Sequence, residues 1–204
     1  MERIHLVHSY IQNPQHPIAI GVIGAGGTGS QVVQQLARIH ATLKAMNHPG
    51  LNVQLIDDDI VTEANLGRQL FSECDIGRNK ASVIIERINR FYGTNWGYSN
   101  SRIDSTYGLS VNIVISCVDN MKTRRSIDKI VKRYSKINIY QDAQQHLLYW
   151  FDFGNGATFG QVFIQEGKSE KKEFCNGEKL HVQLKSIKKM FPKFLLQKDK
   201  PSEP

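Results

Sequence analysis

Ile18-Ala-Ile-Gly-Val-Ile23 runs directly into Gly24-Ala-Gly-Gly-Thr-Gly29, and from Ser30 to Met46 the residues Val33, Leu36, Ala37 and Leu43 then fall at helical spacing. An apolar β-branched run predicts a strand, the glycines a tight turn, and the 3.6-residue period a helix. Glycines between a strand and a helix let backbone approach a phosphate, whose charge the helix N-terminus can hold. By itself the turn says only "nucleotide", and the same glycines would also serve a tight turn with no ligand.

Outward from this unit the alternation continues. Asn47-His-Pro-Gly50 ends the first helix, and Leu51–Ile56 reads as a second strand closing on Asp57-Asp-Asp59. A second helix is predicted over Ile76 to Phe91, with Ile84, Ile85, Ile88 and Phe91 as its inner stripe. A short strand over Trp96 to Ile103 follows, then the strongest strand, Val111-Asn-Ile-Val-Ile-Ser116, which leads into Cys117-Val-Asp-Asn120. A basic helix from Lys122 to Tyr134 and a strand over Ile137 to Gln141 come next, and Trp150–Asn155 with Gly160–Gln165 flank a Gly-rich bend as a β-hairpin. The expected fold is α/β: a Rossmann-like, mainly parallel sheet with flanking helices, a C-terminal antiparallel hairpin, and a ligand at the carboxyl ends of the strands. No internal repeat stands out.

The 204 residues suffice for one α/β domain with a tail. With 40% hydrophobic and 22% charged residues the chain reads as soluble and globular, and no apolar run approaches the roughly 18 residues that span a bilayer. The N-terminus lacks the pattern of a signal peptide, so a cytoplasmic protein is expected. The net charge of +7 is uneven: residues 1–167 hold 16 basic and 14 acidic residues, and residues 168–204 hold 10 and 5. The basic excess is a property of a Lys-rich tail, read as a solvated, partly disordered segment without a recognisable nucleic-acid module, so a nucleic-acid partner is not expected. Cys74, Cys117 and Cys175 form no C-x-x-C pair, which excludes a disulfide framework and a four-thiolate zinc site, and His5 and His8 lack a third ligand.

Asp57, at the end of the second strand, stands where a carboxylate accepts ribose hydroxyls in nucleotide-binding sheets. Beyond Asp59 come Asn65-Leu-Gly-Arg68-Gln69 and Asp75-Ile-Gly-Arg-Asn-Lys80. An amide, a guanidinium and an ammonium within sixteen residues suit a triphosphate, although each taken singly also reads as a cap or a surface charge. An NAD-dependent oxidoreductase would share the glycine turn and Asp57. It would leave Asn65, Arg68 and Lys80 unexplained, and no hydride-transfer acid or base is evident.

These motifs in this order, closed by Cys117-Val-Asp-Asn120, resemble the ThiF/MoeB/HesA family, the ubiquitin-activating-type adenylyltransferases, over residues 18–165. More narrowly, Glu63-Ala-Asn-Leu-Gly-Arg-Gln-Leu-Phe71 and Arg87-Ile-Asn-Arg-Phe-Tyr-Gly-Thr-Asn-Trp96 are similar to the ThiF-family members of PRTRC (ParB-related, ThiF-related) cassettes. The resemblance implies an adenylation domain over residues 1–167 that uses ATP and Mg²⁺. It would adenylate the C-terminal carboxylate of a small ubiquitin-like or sulfur-carrier protein ending in Gly, releasing pyrophosphate. It implies that Gly24, Gly26, Gly27 and Gly29 form the phosphate turn, that Asp57 holds the ribose, and that Asn65 and Arg68 contact phosphates. Lys80 would neutralise the triphosphate and Asp119 bind magnesium, with Asp59, Gln69 and Asn120 completing the nucleotide site and Arg68, Lys80 and Asp119 serving catalysis. A homodimer is the family expectation.

The sequence also departs from the family. The first helix and its loop, through Leu43 to Asn52, look longer than in the molybdopterin and thiamin enzymes; the paired C-x-x-C motifs are missing, so no structural zinc is expected; and Arg3 is the nearest match to the N-terminal Arg that many members share across a dimer. Cassette-type members continue beyond this point into a cysteine-bearing segment, whereas this chain stops at Pro204, so it reads as short or truncated. Adenylation is therefore expected and thioester formation is not, and a nucleotide-binding but catalytically incomplete scaffold stays open as an alternative.

Overall fold

The computed structural model describes residues 2–135, 146–155, 160–167 and 179–181. In chain order these form β1 (Glu2–Ile4), α1 (Ser9–Gln12), β2 (Ile18–Ile23), α2 (Gly27–Ala45), β3 (Leu51–Ile56), α3 (Lys80–Tyr92), β4 (Gly97–Ser99), β5 (Ile113–Ser116), α4 (Met121–Ser135), β6 (Tyr149–Asn155), β7 (Gly160–Glu166) and β8 (Lys179–His181). Six strands make one sheet in the order β4-β3-β2-β5-β6-β7. All neighbours run parallel except β6 and β7, which pair antiparallel as the expected hairpin. The strand order reverses between β2 and β5, the position where doubly wound sheets open a crevice for ligands. β1 and β8 pair in parallel as a separate two-stranded sheet, so part of the Lys-rich tail is extended chain, an element the sequence did not suggest.

Strand alternation sorts the core into two layers. Ile18, Ile20 and Val22 of β2 and Leu51, Val53 and Leu55 of β3 pack with Val33, Leu36 and Ala37 of α2 and Ile84, Ile85 and Ile88 of α3. Ile23, Val114 and Trp150 face the other way, onto Ile127, Ile130 and Val131 of α4. Every second side chain crossing to the opposite face is what a pleated strand covered on both sides requires.

Four boundaries differ from the sequence reading. Helix α2 begins at Gly27, inside the glycine turn, because Gly27 and Gly29 supply its first turn. Helix α3 begins at Lys80 and not at Ile76: Gly77 is left-handed (φ +84°), and the Asn79 side chain caps the helix by accepting from the Ser82 amide at 3.0 Å. Its inner stripe therefore ends on Tyr92, four residues after Ile88, while Phe91 is 81% exposed. Strands β4 and β5 are shorter than predicted. Asn112 precedes β5 and joins strands, its Oδ1 accepting from the Ala19 amide and its carbonyl from the Leu148 and Tyr149 amides. The strand expected over Ile137 to Gln141 lies outside the described residues, as does Cys175. No described helix is long and apolar enough to cross a membrane.

The structure also contains a short repeat. Thr62-Glu-Ala-Asn-Leu-Gly-Arg68 and Ser72-Glu-Cys-Asp-Ile-Gly-Arg78 match position by position, ten residues apart. Each forms a 3-10 turn with a capping box, and each has a left-handed glycine, Gly67 or Gly77, at the same place.

Candidate nucleotide site

Two glycines of the turn are demanded by the protein itself. A Cβ on Gly29 would stand 1.7 Å from the carbonyl oxygen of Gly24, and Gly24 (φ +98°) has the carbonyl oxygen of Cys117 2.8 Å from where its Cβ would be. The turn is thus pressed against the end of β5. Gly26 and Gly27 differ: a Cβ on Gly26 meets nothing within 4 Å, and one on Gly27 meets only the Arg68 carbonyl oxygen, at 4.0 Å. Their free side opens into a cavity of about 450 Å³ at the switch point, within the range of small-molecule sites.

Of the residues singled out in the sequence, Gly24, Gly26, Gly27, Asp57, Asp59, Gln69, Lys80, Asp119 and Asn120 line this cavity. Lys80 and Asp119 come from opposite sides of the glycine turn, the first on α3 and the second beyond β5. Gly29, Asn65 and Arg68 do not line it; Gly29 is packed beneath the turn, and Arg68 reaches Gly27 through its backbone.

Asp57 is tied to the turn, one carboxylate oxygen accepting from the Ala25 amide and the other from the Asp59 amide at 2.8 Å. Burial raises its pKa above the usual carboxylate range against those two hydrogen bonds. Each oxygen keeps a lone pair for a further donor such as a hydroxyl. Lys80 is buried along its stem, with Nζ 2.9 Å from an oxygen of Asp59. Asp119 is exposed at the rim; its Oδ1 accepts from Asn120 Nδ2 at 3.4 Å, and it makes no ion pair among the described residues. Asn120 Oδ1 accepts from the Thr123 amide at 2.8 Å, which holds the start of α4 beside the cavity.

Sequence reasoning missed several members. Asn79 Nδ2 donates to the carbonyls of Asp57 and Asp59 (2.8 and 3.1 Å), fastening the acidic end of β3 to the start of α3. Its signal was available, an Asn three residues before Ser82 at a helix start. Ser101, Arg102 and Ile103 also line the cavity, from irregular chain after β4, where no periodicity could have placed them.

Cys117 lines the cavity, and burial, reinforced by the nearby Asp152 carboxylate, pushes its thiol up to about 12. A thiol so protonated is neither nucleophile nor acyl carrier. In native protein at pH 7.5, iodoacetamide is expected to label the exposed Cys74 while leaving Cys117 unmodified; mass spectrometry showing equal labelling would contradict this environment.

The chain matches the ThiF family over residues 12–180. It is 33% identical over 129 residues to the NEDD8-activating enzyme E1 catalytic subunit of Dictyostelium discoideum, covering 61% of this chain and 27% of that one. It is 26% identical over 190 residues to ubiquitin-like modifier-activating enzyme 5 of Culex quinquefasciatus, covering 82% of this chain and 42% of that one. The chain thus corresponds to less than half the length of either relative. Among solved structures, E. coli tRNA N6-threonylcarbamoyladenosine dehydratase, TcdA, in complex with AMP superposes with a TM-score of 0.48 at 24% identity, over 57% of this chain and 47% of that one.

Proposed function

The chain belongs to the ThiF family, and from that premise we propose that it transfers the AMP moiety of ATP to the C-terminal carboxylate of a small ubiquitin-like or sulfur-carrier protein. What supports this reading is the convergence on one cavity of the open glycine turn, the buried Lys80 side chain and the exposed Asp119 carboxylate. A carboxylate oxygen of the carrier attacks the α-phosphorus, a phosphorus–oxygen bond forms, and the bond to the bridging oxygen breaks, releasing pyrophosphate. No side-chain nucleophile is needed, so positioning and charge stabilisation supply the acceleration.

Each residue then has a task. Gly26 caps α2 without a side-chain acceptor, so the amides of the helix's first turn serve phosphate oxygens. Asp57 takes the ribose hydroxyls, Lys80, Asn65 and Arg68 the phosphates, and Asp59, Gln69 and Asn120 complete the nucleotide site. Asp57, Asp58, Asp59 and Asp119 line the cavity against Lys80 and Arg102, an acidic balance in which a triphosphate needs a divalent escort. One carboxylate plus substrate phosphates is the donor set Mg²⁺ prefers, and Asp119 would hold it. The ion, when bound, supplies positive charge to the phosphoryl oxygens. By the same family premise we propose a soluble homodimer acting on a β-grasp carrier that ends in glycine.

The test is calorimetric titration with Mg·ATP and pyrophosphate exchange in the presence of such a carrier. Asp119→Ala is expected to lower exchange by about a hundredfold or more with an unchanged melting temperature. Retained exchange removes Asp119 from its role; absence of both ATP binding and exchange in the parent chain ends the proposal, and preference for NAD over ATP favours the oxidoreductase reading.

A further inference from the structure

Helix α4 is the charge outlier among the described helices. Six of its fifteen residues are basic, Lys122, Arg124, Arg125, Lys129, Lys132 and Arg133, against one acid, Asp128. Arg124 is committed inside the fold to Asp152, and Asp128 is buried and paired with Lys132. With Ile127, Ile130 and Val131 packed in the core, the outer face carries Lys122, Arg125, Lys129 and Arg133 at i, i+3, i+7 and i+11. They form one stripe, roughly 16 Å long, with no acid on it.

This arrangement works against the helix itself. Lys122 stands in the first turn, where the dipole favours an acid and none is present, and cations three and four residues apart repel one another. Lys122 and Lys129 are exposed, and their side chains make no hydrogen bond or ion pair among the described residues. Charge that is unfavourable within a helix and uncommitted within the fold serves something outside it.

The stripe begins at the nucleotide cavity, since Thr123, next to Lys122, lines it. The far end of the helix supports another wall: Arg133 donates to the Ser105 carbonyl at 3.0 Å and the Tyr134 hydroxyl accepts from the Leu109 amide at 2.9 Å, on the loop that brings Ser101, Arg102 and Ile103 to the cavity. Helix α4 follows β5, and Asp57-Asp-Asp59 follows β3, on either side of β2 and its glycine turn. The cavity is thus flanked by acid on one side and by the cation stripe on the other.

We infer that the outer face of α4 is the docking surface for an acidic face of the carrier protein, a reading that rests on the adenylation proposed above. The reacting group is a carboxylate and its target an anionic nucleotide, so their encounter is electrostatically opposed. Cations beside the cavity offset that repulsion, and the acids on the opposite flank turn an anionic partner toward α4. A nucleic acid fits less well. The stripe is one helix wide and has no exposed aromatic ring on which a base could stack, Tyr134 being half-buried and bonded to Leu109.

The experiment is fluorescence anisotropy of the full chain with a labelled peptide of alternating Glu and Ser ending in a free Gly-Gly carboxylate. Its Lys-for-Glu counterpart and a single-stranded oligothymidylate of equal charge are run beside it, with calorimetric titration by Mg·ATP and thermal melts. The parent is expected to bind the acidic peptide and not the basic one, and to bind it about threefold or more weakly as salt rises from roughly 50 to 200 mM. Lys122→Glu with Lys129→Glu is expected to bind the peptide about tenfold more weakly and Mg·ATP within about threefold of the parent. The same variant is expected to melt at or above the parent temperature, because an acid in the first turn suits the dipole. Lys122→Arg with Lys129→Arg is expected to keep the parent affinity. Arg38→Glu with Lys44→Glu makes the same change in net charge on α2 and is expected to alter peptide affinity by no more than about twofold. An acidic peptide that does not bind, an equal loss in the α2 variant, or tighter binding of the oligothymidylate overturns the inference while leaving Mg·ATP binding by the parent intact. A parent chain that binds the peptide but not Mg·ATP removes the adenylation reading and, with it, the carrier as the partner.

Discussion

Replacing Lys80 by methionine is expected to weaken Mg·ATP binding roughly ten- to hundredfold and to slow pyrophosphate exchange by about 10²–10³, with little change in melting temperature. Lys80 is the first residue of α3 and lines the cavity; its stem is buried and its Nζ pairs with Asp59. Methionine keeps most of that stem, so packing is conserved while the charge is removed. Asp59 loses a partner in the variant, yet its side chain is 66% exposed and returns to water, so the pair contributes little to stability. The loss falls instead on an anionic ligand, which meets a cavity with four carboxylates and one remaining cation at the rim. Binding within twofold of the parent chain would show that the ammonium serves only the Asp59 pair.

The largest effect on stability is expected at Asp152. Its carboxylate is fully buried on β6 and accepts from Arg124 Nε (3.1 Å) and from the Ser116 hydroxyl, which in turn accepts from Trp150 Nε1 at 2.8 Å. Arg124 is 6% exposed and also donates to the Phe153 carbonyl. Asp152→Ala leaves a buried guanidinium without its counter-charge, at a cost of about 3–5 kcal/mol, which for a chain of this length lowers the melting temperature by on the order of 6–20 °C. The double change Arg124→Met with Asp152→Leu is expected to regain most of that loss, because a dry apolar pair needs no compensation. A single variant as stable as the parent would mean that water reaches the guanidinium. The network joins the end of β5 and the middle of β6 to the first turn of α4, so it also fixes the loop that carries Asp119 and Asn120.

Much of this molecule is legible without coordinates. The strand–glycine turn–helix unit, the alternation of strands and helices and the hairpin follow from periodicity and turn chemistry, which are local. The chemically informative residues stand out by type and position: Asp57 at a strand end suits ribose hydroxyls, and the amide, guanidinium and ammonium of Asn65, Arg68 and Lys80 suit a triphosphate. Errors occur where one local signal overrules another. A left-handed glycine and an Asn cap delay α3 by four residues, and the delay turns Phe91 outward and Tyr92 inward.

By itself the sequence determined the fold class, the glycine turn between strand and helix and the family, since each depends on short-range pattern and residue type. Only the tertiary structure decided that Asn79 ties β3 to α3, that Arg102 lines the cavity, and that burial and the Asp152 carboxylate raise the Cys117 thiol pKa. Those outcomes depend on which charges come to neighbour one another and how far water is excluded, quantities set by residues distant in the chain and absent from any local window.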